Sequence, residues 1–500
     1  MATLTRRNFI SAAGGSAVGI AAIQPNWFPS LSAQDAKVEP GMVRFRPEIE
    51  PLVRLLEDTP RERIVDVVGG EIRGGTSYRE LLAAVFLAGM RNVQPRPAVG
   101  FKFHSVLVVH AAHQAAMAAT NEGRWLPLIW AIDNFKSAQA TDVKEGDWTM
   151  PAVSSKLPPA ERALTVLDEA MANWDEPAAD VAAAAAARAA SAHQLFDLYA
   201  KHSARDFRSI GHKAIYVSGA FRTLEVIGWE HSEAVMRSLA YAILNHTGEE
   251  NPSRHDYEAD RAGRRNWELV DQIPKNWMDG KADPAASQRV LESLRTVSVQ
   301  DAAKSVVEML RQQVHPRSIY DGILLASAEL VTRQPGIVPL HAVTASNALH
   351  NLYNTVGDDR LRRWLLLQNA SFLVHFREAA VGRGELPEAK LDQLAVTGQT
   401  VPSLDEIFEK VQKDRPAAAS AVLQYIRAGG DARTMIRRAR ELVYLKGNDS
   451  HDYKFSAAAI EDAAFIDPQW RAHYLAGCSY LLRGSTEKST PLANRVLAMK

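Results

Sequence analysis

The chain reads as all-α, a large multi-helix single domain, on three observations. Apolar residues recur at helical spacing in one stretch after another. Alanine, the best helix former, is abundant and runs unbroken from Ala182 to Ala187. Nowhere do short alternating apolar stretches flank hairpin turns or alternate with helices in a βαβ rhythm. The 500 residues are 46% hydrophobic, ample for a large core, and no long Gly/Ser- or Pro-rich linker divides them. One helical domain of roughly 460 residues is therefore expected in place of two. No repeat of roughly 34 to 47 residues marks a helical solenoid.

Taken in order, residues 34–70 combine Pro and charge, which suggests an extended lead-in with one short helix near Ile49 to Leu56, and the all-helical domain is expected to span 71–500. After Gly69-Gly70 and Gly74-Gly75, Tyr78 to Leu87 opens the first long helix. The Pro95-Arg96-Pro97 stop precedes Phe101 to Ala119, a stretch that could open as a strand but soon reads as a helix carrying His104, His110 and His113. Leu126 to Lys136 is helical, and a polar connection covers 138–160. Ala160 to Ala172 and Val181 to Lys201 follow as helices, then Ile210 to Leu244 with a division at Gly228-Trp229. Asn245 to Gly280 is dense in charge and turn formers and reads as a long surface excursion. Helices resume at Ala285 to Leu294, Val299 to Val314, Ser318 to Arg333, Leu340 to Tyr353 and Asp359 to Ala380. The tail offers Leu404 to Gln412, Ala417 to Arg427, Ala432 to Leu445 and Phe455 to Leu482.

Charge and cysteine content narrow the function. The 58 basic residues balance 58 acidic ones, so nothing draws the chain to nucleic acid or to an anionic membrane. A single cysteine, Cys478, excludes an intramolecular disulfide and any cysteine-built zinc site. A bound metal must then rely on carboxylates or on the 15 histidines. The N-terminus adds a localisation. Residues 1–33 contain no acid, carry Arg6-Arg7 ahead of a small-residue apolar run, and end in Ser30-Leu31-Ser32-Ala33, the pattern of a twin-arginine export signal. The apolar run is too short for a stable membrane span. The expected partner is the twin-arginine export machinery and the expected location the periplasm or beyond; that route carries folded proteins, often with a cofactor already loaded.

Chemistry is concentrated in histidine segments: His110-Ala111-Ala112-His113, Gly211-His212-Lys213, Leu340-His341-Ala342-Val343-Thr344, and His451-Asp452-Tyr453-Lys454. Each imidazole sits in or beside an apolar helical run, where an unpaired polar ring costs about 1 to 3 kcal/mol, so each is a bonded core residue or a ligand. The spacing of His451 and Lys454 puts two basic groups on one helical face, where they repel unless one is neutral or bound. His350, nine residues after His341, points to roughly the opposite side and reads as a core histidine. His375 and Asp133 could line a pocket, and His231 with Glu230 and Glu233 is equally a solvated face. No nucleotide-binding or nucleophile-elbow motif occurs.

These segments, in this order, resemble the questin oxidase family. His110-Ala111-Ala112-His113 is similar to its early histidine segment, Gly211-His212-Lys213-Ala214-Ile215 to its central H-x-x-I helix, and Glu233 to Ala240 to the alanine-rich helix that follows. Leu340 to Thr344 is similar to its L-H-x-V-T segment and His451 to Lys454 to its H-x-x-K. The resemblance implies a non-haem iron oxygenase with a metal site between helices, acting with O2 on an aromatic or quinone-like small molecule. It implies four histidine ligands, namely His212, His341, His451 and one of His110 or His113, with an N-carboxylated Lys454 as the anionic fifth. Such nitrogen and oxygen donors also accept zinc or manganese. Two other functions fit the same residues: a non-catalytic periplasmic helical binding or scaffold protein with core histidines, and a metal-dependent hydrolase with Asp133 as its acid or base.

Overall fold

Most helices begin where a short polar side chain can take up the free N–H groups of the first turn. Ser77, Ser191, Ser403 and Asp449 do so in reciprocal capping boxes with Glu80, Gln194, Glu406 and Asp452. Asp175, Asp283, Ser298, Asp358, Asp414, Asp431 and Asp467 each accept from the helix they precede. Removing one such cap costs about 1 kcal/mol.

The structure, a computed structural model, describes residues 41–96, 102–120, 123–153, 156–244, 250–397 and 400–499. The segment read as the export signal, 1–33, lies outside these. The helices are α1 Glu50–Asp58, α2 Arg61–Gly74, α3 Tyr78–Asn92, α4 His104–Leu107, α5 Val109–Met117, α6 Trp125–Lys144, α7 Ala163–Asn173, α8 Glu176–Ala189, α9 Ala192–Ser203, α10 His212–Ile227, α11 Ser232–Leu244 and α12 Glu258–Leu269. They continue as α13 Pro284–Leu294, α14 Val299–Arg311, α15 Pro316–Arg333, α16 Ile337–Thr355, α17 Asp359–Val381, α18 Leu404–Lys410, α19 Arg415–Arg427, α20 Ala432–Lys446, α21 Ser450–Phe465, α22 Pro468–Cys478 and α23 Pro491–Leu497. Among the described residues the only β-type pairings are two isolated bridges, Met42 with Pro151 and Lys281 with Val314. The class is all-α.

Three expectations are corrected. The part of the 34–70 lead-in that the structure describes, from 41 onward, is mostly helical: the short helix expected near Ile49 to Leu56 is present as α1, α2 follows it after Pro60, and the compact unit spans Gly41–Lys500. The reason is a buried ion cluster. Fully buried Arg91 of α3 donates to Glu57 at 2.8 and 2.7 Å and to Glu50 at 2.6 Å, so two of the three acids of α1 are pulled toward the core. Gly69, read as a break, lies inside α2 because the Met499 side chain packs where a Cβ would stand. Second, the stretch 245–280 is not wholly a surface excursion. It contains α12, whose Asn266 is buried and donates to Gln368 and Ser371 of α17 at 2.7 and 2.9 Å, and Trp277 is buried with its indole donating to Asp359 at 3.2 Å. Third, two long runs are divided: Ser191 caps α9 after Ala190, and Asp467 caps α22 after α21.

The core that positions the site is the packing of α16 against α10, α15, α17 and α21, with α5 against α6, α10 and α21. Gly211 is essential to it. Its φ of +83° is left-handed, and a Cβ there would collide with the methyl of Ala345 in α16. Only glycine lets the start of α10 come this close to α16.

Candidate metal centre

Four imidazoles and one amine meet inside this packing, each delivered by the first turns of a helix. His104 is the first residue of α4 and His212 the first of α10, directly after Gly211. His341 lies at the start of α16, and His451 with Lys454 in the opening turns of α21. The relative exposures are 5% for His104, 5% for His212, 2% for His341, 6% for His451 and 5% for Lys454. The rings close a circuit. Centroid separations are 4.9 Å for His104–His212, 4.6 Å for His212–His341, 5.3 Å for His341–His451 and 4.7 Å for His451–His104.

Hydrogen bonding fixes which nitrogen faces inward. His212 Nδ1 lies 2.9 Å from the Ser209 carbonyl oxygen and His341 Nδ1 lies 2.7 Å from that of Ile337. A carbonyl only accepts, so each Nδ1 carries the proton and each Nε2 carries a lone pair. His451 Nδ1 stands 3.3 Å from the Asp449 carboxylate, which also caps α21 by accepting from the His451 backbone N–H at 2.6 Å. The two Nε2 atoms of His212 and His341 then face each other at 3.0 Å, and His104 Nε2 lies 3.1 Å from that of His212. Lone pairs meet across the first of these gaps. Nothing on either ring can supply a proton to it.

The electrostatics point the same way. Burial, followed by repulsion from Lys454 and the other rings, holds His104 far below the usual imidazole range. Burial and then His341 do the same to His212, and burial and then Lys454 bring His341 down to about 3. Lys454 is itself lowered to about 7 by burial, with Asp449 pulling the other way, and its Nζ has no hydrogen-bond partner. The hydrogen bond from His451 holds Asp449 down to about 2. The layer thus gathers nitrogen groups whose protonation burial disfavours at His104, His212, His341 and Lys454, with one carboxylate at its rim.

The structure brings together His212, His341, His451 and Lys454 as the sequence anticipates, but the early segment contributes His104, not His110 or His113. The His110 Cβ lies beside Gly219 of α10, and neither of its ring nitrogens makes a hydrogen bond. His113 lies 3.2 Å from the Tyr78 hydroxyl. A helical turn count explains the exchange: six residues carry the chain about 240° around a helix axis, so His104 and His110 point to different sides. That count was the available signal for His104, hidden because Phe101 could open a strand. His350 packs on Phe465 and Tyr320 at centroid distances of 4.0 and 4.4 Å, with Nδ1 3.9 Å from Asp462, as a core histidine. His375 stacks on Phe207 at 4.8 Å. Glu233 is held by Arg188 at 2.7 Å and leaves no set with His231. Asp133, the acid or base that a hydrolase reading required, is gripped by Arg61 at 3.0 and 2.8 Å.

Set against models of protein families, against curated proteins and against solved structures, the chain matches none of them. Among the described residues no helix is long and apolar enough to cross a membrane.

Proposed function

We propose that the chain is a metal-dependent oxidoreductase, an oxygenase acting with O2 on a small aromatic or quinone-like molecule, and that His104, His212, His341, His451 and Lys454 hold its ion. The observation that carries this reading is the pair of facing lone pairs on His212 and His341. A cation between them turns a repulsive contact into two bonds. The spacing also fits: two nitrogens that each stood about 2.1 Å from one ion would lie roughly 3.0 to 3.4 Å apart, and the Nε2 atoms of His341 and His104 lie 3.0 and 3.1 Å from that of His212.

The chain's own groups have defined tasks. Ser209 O, Ile337 O and Asp449 orient three rings through Nδ1, the second contact that metal-binding histidines ordinarily make. Burial excludes water. Four imidazoles at the starts of helices, where the backbone dipole is positive, offer a cation no negative charge. Addition of CO2 to the Lys454 amine, with loss of one proton, yields a carbamate anion and supplies it. When bound, iron provides a redox centre at which O2 is activated for insertion into, or cleavage of, an aromatic ring. The aromatic substrate is carried from the family resemblance, as is the iron. Export by the twin-arginine route rests on Arg6-Arg7.

What supports this over a non-catalytic helical scaffold is the convergence of rings from four helices. Scattered core histidines have no reason to meet, and a buried layer of five basic groups is costly without a ligand. Metal analysis of folded protein tests the reading, with about one ion per chain expected after anaerobic reconstitution with Fe(II). Folded protein that retains no stoichiometric ion sinks it. A Lys454→Ala variant with full metal content would remove the carbamate alone.

A further inference from the structure

Away from the histidine layer, a cavity of about 370 Å³ opens between the end of α9, α12 and α17. Its walls include the indoles of Trp267 and Trp364, which meet edge to face at 5.5 Å. Trp364 is fixed by donating its indole N–H to the Gly263 carbonyl at 3.1 Å. Lys201, Arg205 and Arg264 bring positive charge to the lining, against Glu268 at the exposed edge. A second cavity of about 510 Å³ shares Lys201 and Trp267 with the first, so the indole of Trp267 stands in a continuous groove.

Most charged groups here already have partners. Arg264 is bound to Asp256 at 3.0 Å, and Lys201 to Asp168 at 3.0 Å. His202 is also occupied. Arg205 can only donate, so the 3.2 Å contact from its Nη1 makes His202 Nδ1 the acceptor, and His202 Nε2–H donates to Asp168 at 2.6 Å. With both nitrogens used, His202 is a fixed wall and no general base. Arg205 is the partial exception, its Nη1 donating to the Met171 carbonyl at 3.0 Å and to His202. Its side chain is 14% exposed, its guanidinium lies over Trp174 at 4.7 Å, and its Nη2 makes no hydrogen bond. The nearest carboxylate, Asp206, stands 3.8 Å from Nε and is itself held twice by Lys213 at 2.8 Å. Burial lowers Arg205 to about 10, against the pull of Asp206, Asp260 and Asp168.

We propose that this groove is a second binding site, for a small aromatic carboxylate whose ring lies against Trp267 and whose carboxylate meets Arg205. The walls choose between ligand classes. A bare anion would satisfy Arg205 but leave the half-buried indole of Trp267 wet, and a neutral ring would cover that indole but leave the guanidinium short of an acceptor. The proposal does not depend on the metal reading, because none of the five residues of the histidine layer lines the groove.

Titration of the full chain with benzoate, followed by tryptophan fluorescence and calorimetry, tests it. Saturable binding is expected, weakened about tenfold or more by Arg205→Gln and by replacing benzoate with benzyl alcohol, the scale of one lost charge-assisted hydrogen bond. Trp267→Leu should remove most of the fluorescence change. Should Arg205→Gln not fold, Ser253→Trp, which fills the cavity from its opposite lining, is expected to abolish binding. His341→Ala should bind benzoate as the native chain does. Equal binding of benzoate and benzyl alcohol, full competition by inorganic phosphate, unchanged binding in Ser253→Trp, or loss of binding in His341→Ala would each overturn the proposal.

Discussion

Helices α10, α16 and α21 carry two buried polar layers, and the partners available in each differ sharply. In the layer six to eleven residues beyond the histidines, Arg222 Nη1 donates to both oxygens of Glu461 at 2.7 and 2.9 Å, and Asn347 donates to Glu461 and Asp462 at 3.0 and 2.9 Å. Tyr474 donates to Asp462 at 3.3 Å, Arg222 to Ser218 at 3.0 Å, and Ser218 to Asn351 at 2.9 Å. Donors meet acceptors and cations meet anions, so the layer closes upon itself and ties the three helices in register. In the histidine layer, about 9 to 17 Å away along the helices, the Nε2 acceptors of His212 and His341 face each other and Lys454 Nζ makes no hydrogen bond. A closed polar network specifies structure. An open and more deeply buried one asks for a ligand.

The largest effect expected from breaking this contrast is at His212, which touches two other rings. His212→Ala should reduce bound iron from about one ion per chain to a small fraction, and activity with it. The native chain should gain thermal stability when Fe(II) is added, by about 3 kcal/mol at a hundredfold excess over Kd, and the variant should gain none. A calorimetric scan with and without metal reads both. An equal metal response in the two proteins would show that the ion binds elsewhere.

Next in size is a pH dependence confined to the open layer. Free lysine keeps its proton to about 10.5, whereas folded Lys454 releases it near 7. Between those values the unfolded chain holds more protons, so the stability of metal-free protein should rise with pH across that window, by up to a few kcal/mol. Lys454→Met should flatten the rise. For His341 the window lies between about 3 and 6.5, and there too stability falls as pH falls. Urea midpoints at fixed ionic strength measure both slopes, and a Lys454→Met curve parallel to the native one above pH 7 would contradict the assignment.

A smaller change belongs to the closed layer. Asn347→Leu removes one donor from Glu461 and one from Asp462, which should cost about 1 to 3 kcal/mol in urea unfolding. Metal stoichiometry should persist, with affinity lowered about tenfold if the register of α10, α16 and α21 positions the rings. Loss of the ion without loss of stability would mean that the two layers are one site.

Legibility in the sequence followed the same physics. Helices whose apolar stripe faces a large core, such as α14 through α17, are evident from spacing alone. Helix α12 is not, because its buried face includes Asn266, whose partners come from a helix about a hundred residues later. The lead-in was misread because Arg91, Glu50 and Glu57 look solvated until they are seen to neutralise one another. Nor does anything in the sequence mark Arg222, Glu461 and Asp462 as members of one network, since their partners lie on other helices. His212, His341, His451 and Lys454 could be picked out from motif order, but His104 required knowing that 104–117 is helical and divided at Val108.

His110 and His104 therefore give the finest test, two histidines of one segment with opposite expected consequences. Neither nitrogen of His110 makes a hydrogen bond, so an apolar side chain of similar size removes a desolvated polar ring and gives up no bond. His110→Leu should change stability by less than about 1 kcal/mol, toward greater stability if at all, and leave iron content intact. His104→Leu should lower iron affinity severalfold or more, because it deletes the ring 3.1 Å from His212. Parallel metal titrations of the two variants decide between them. If His110→Leu lost the ion and His104→Leu kept it, the early segment would have to turn by most of a helical revolution to present His110, and the four-ring circuit described above would not be the binding geometry.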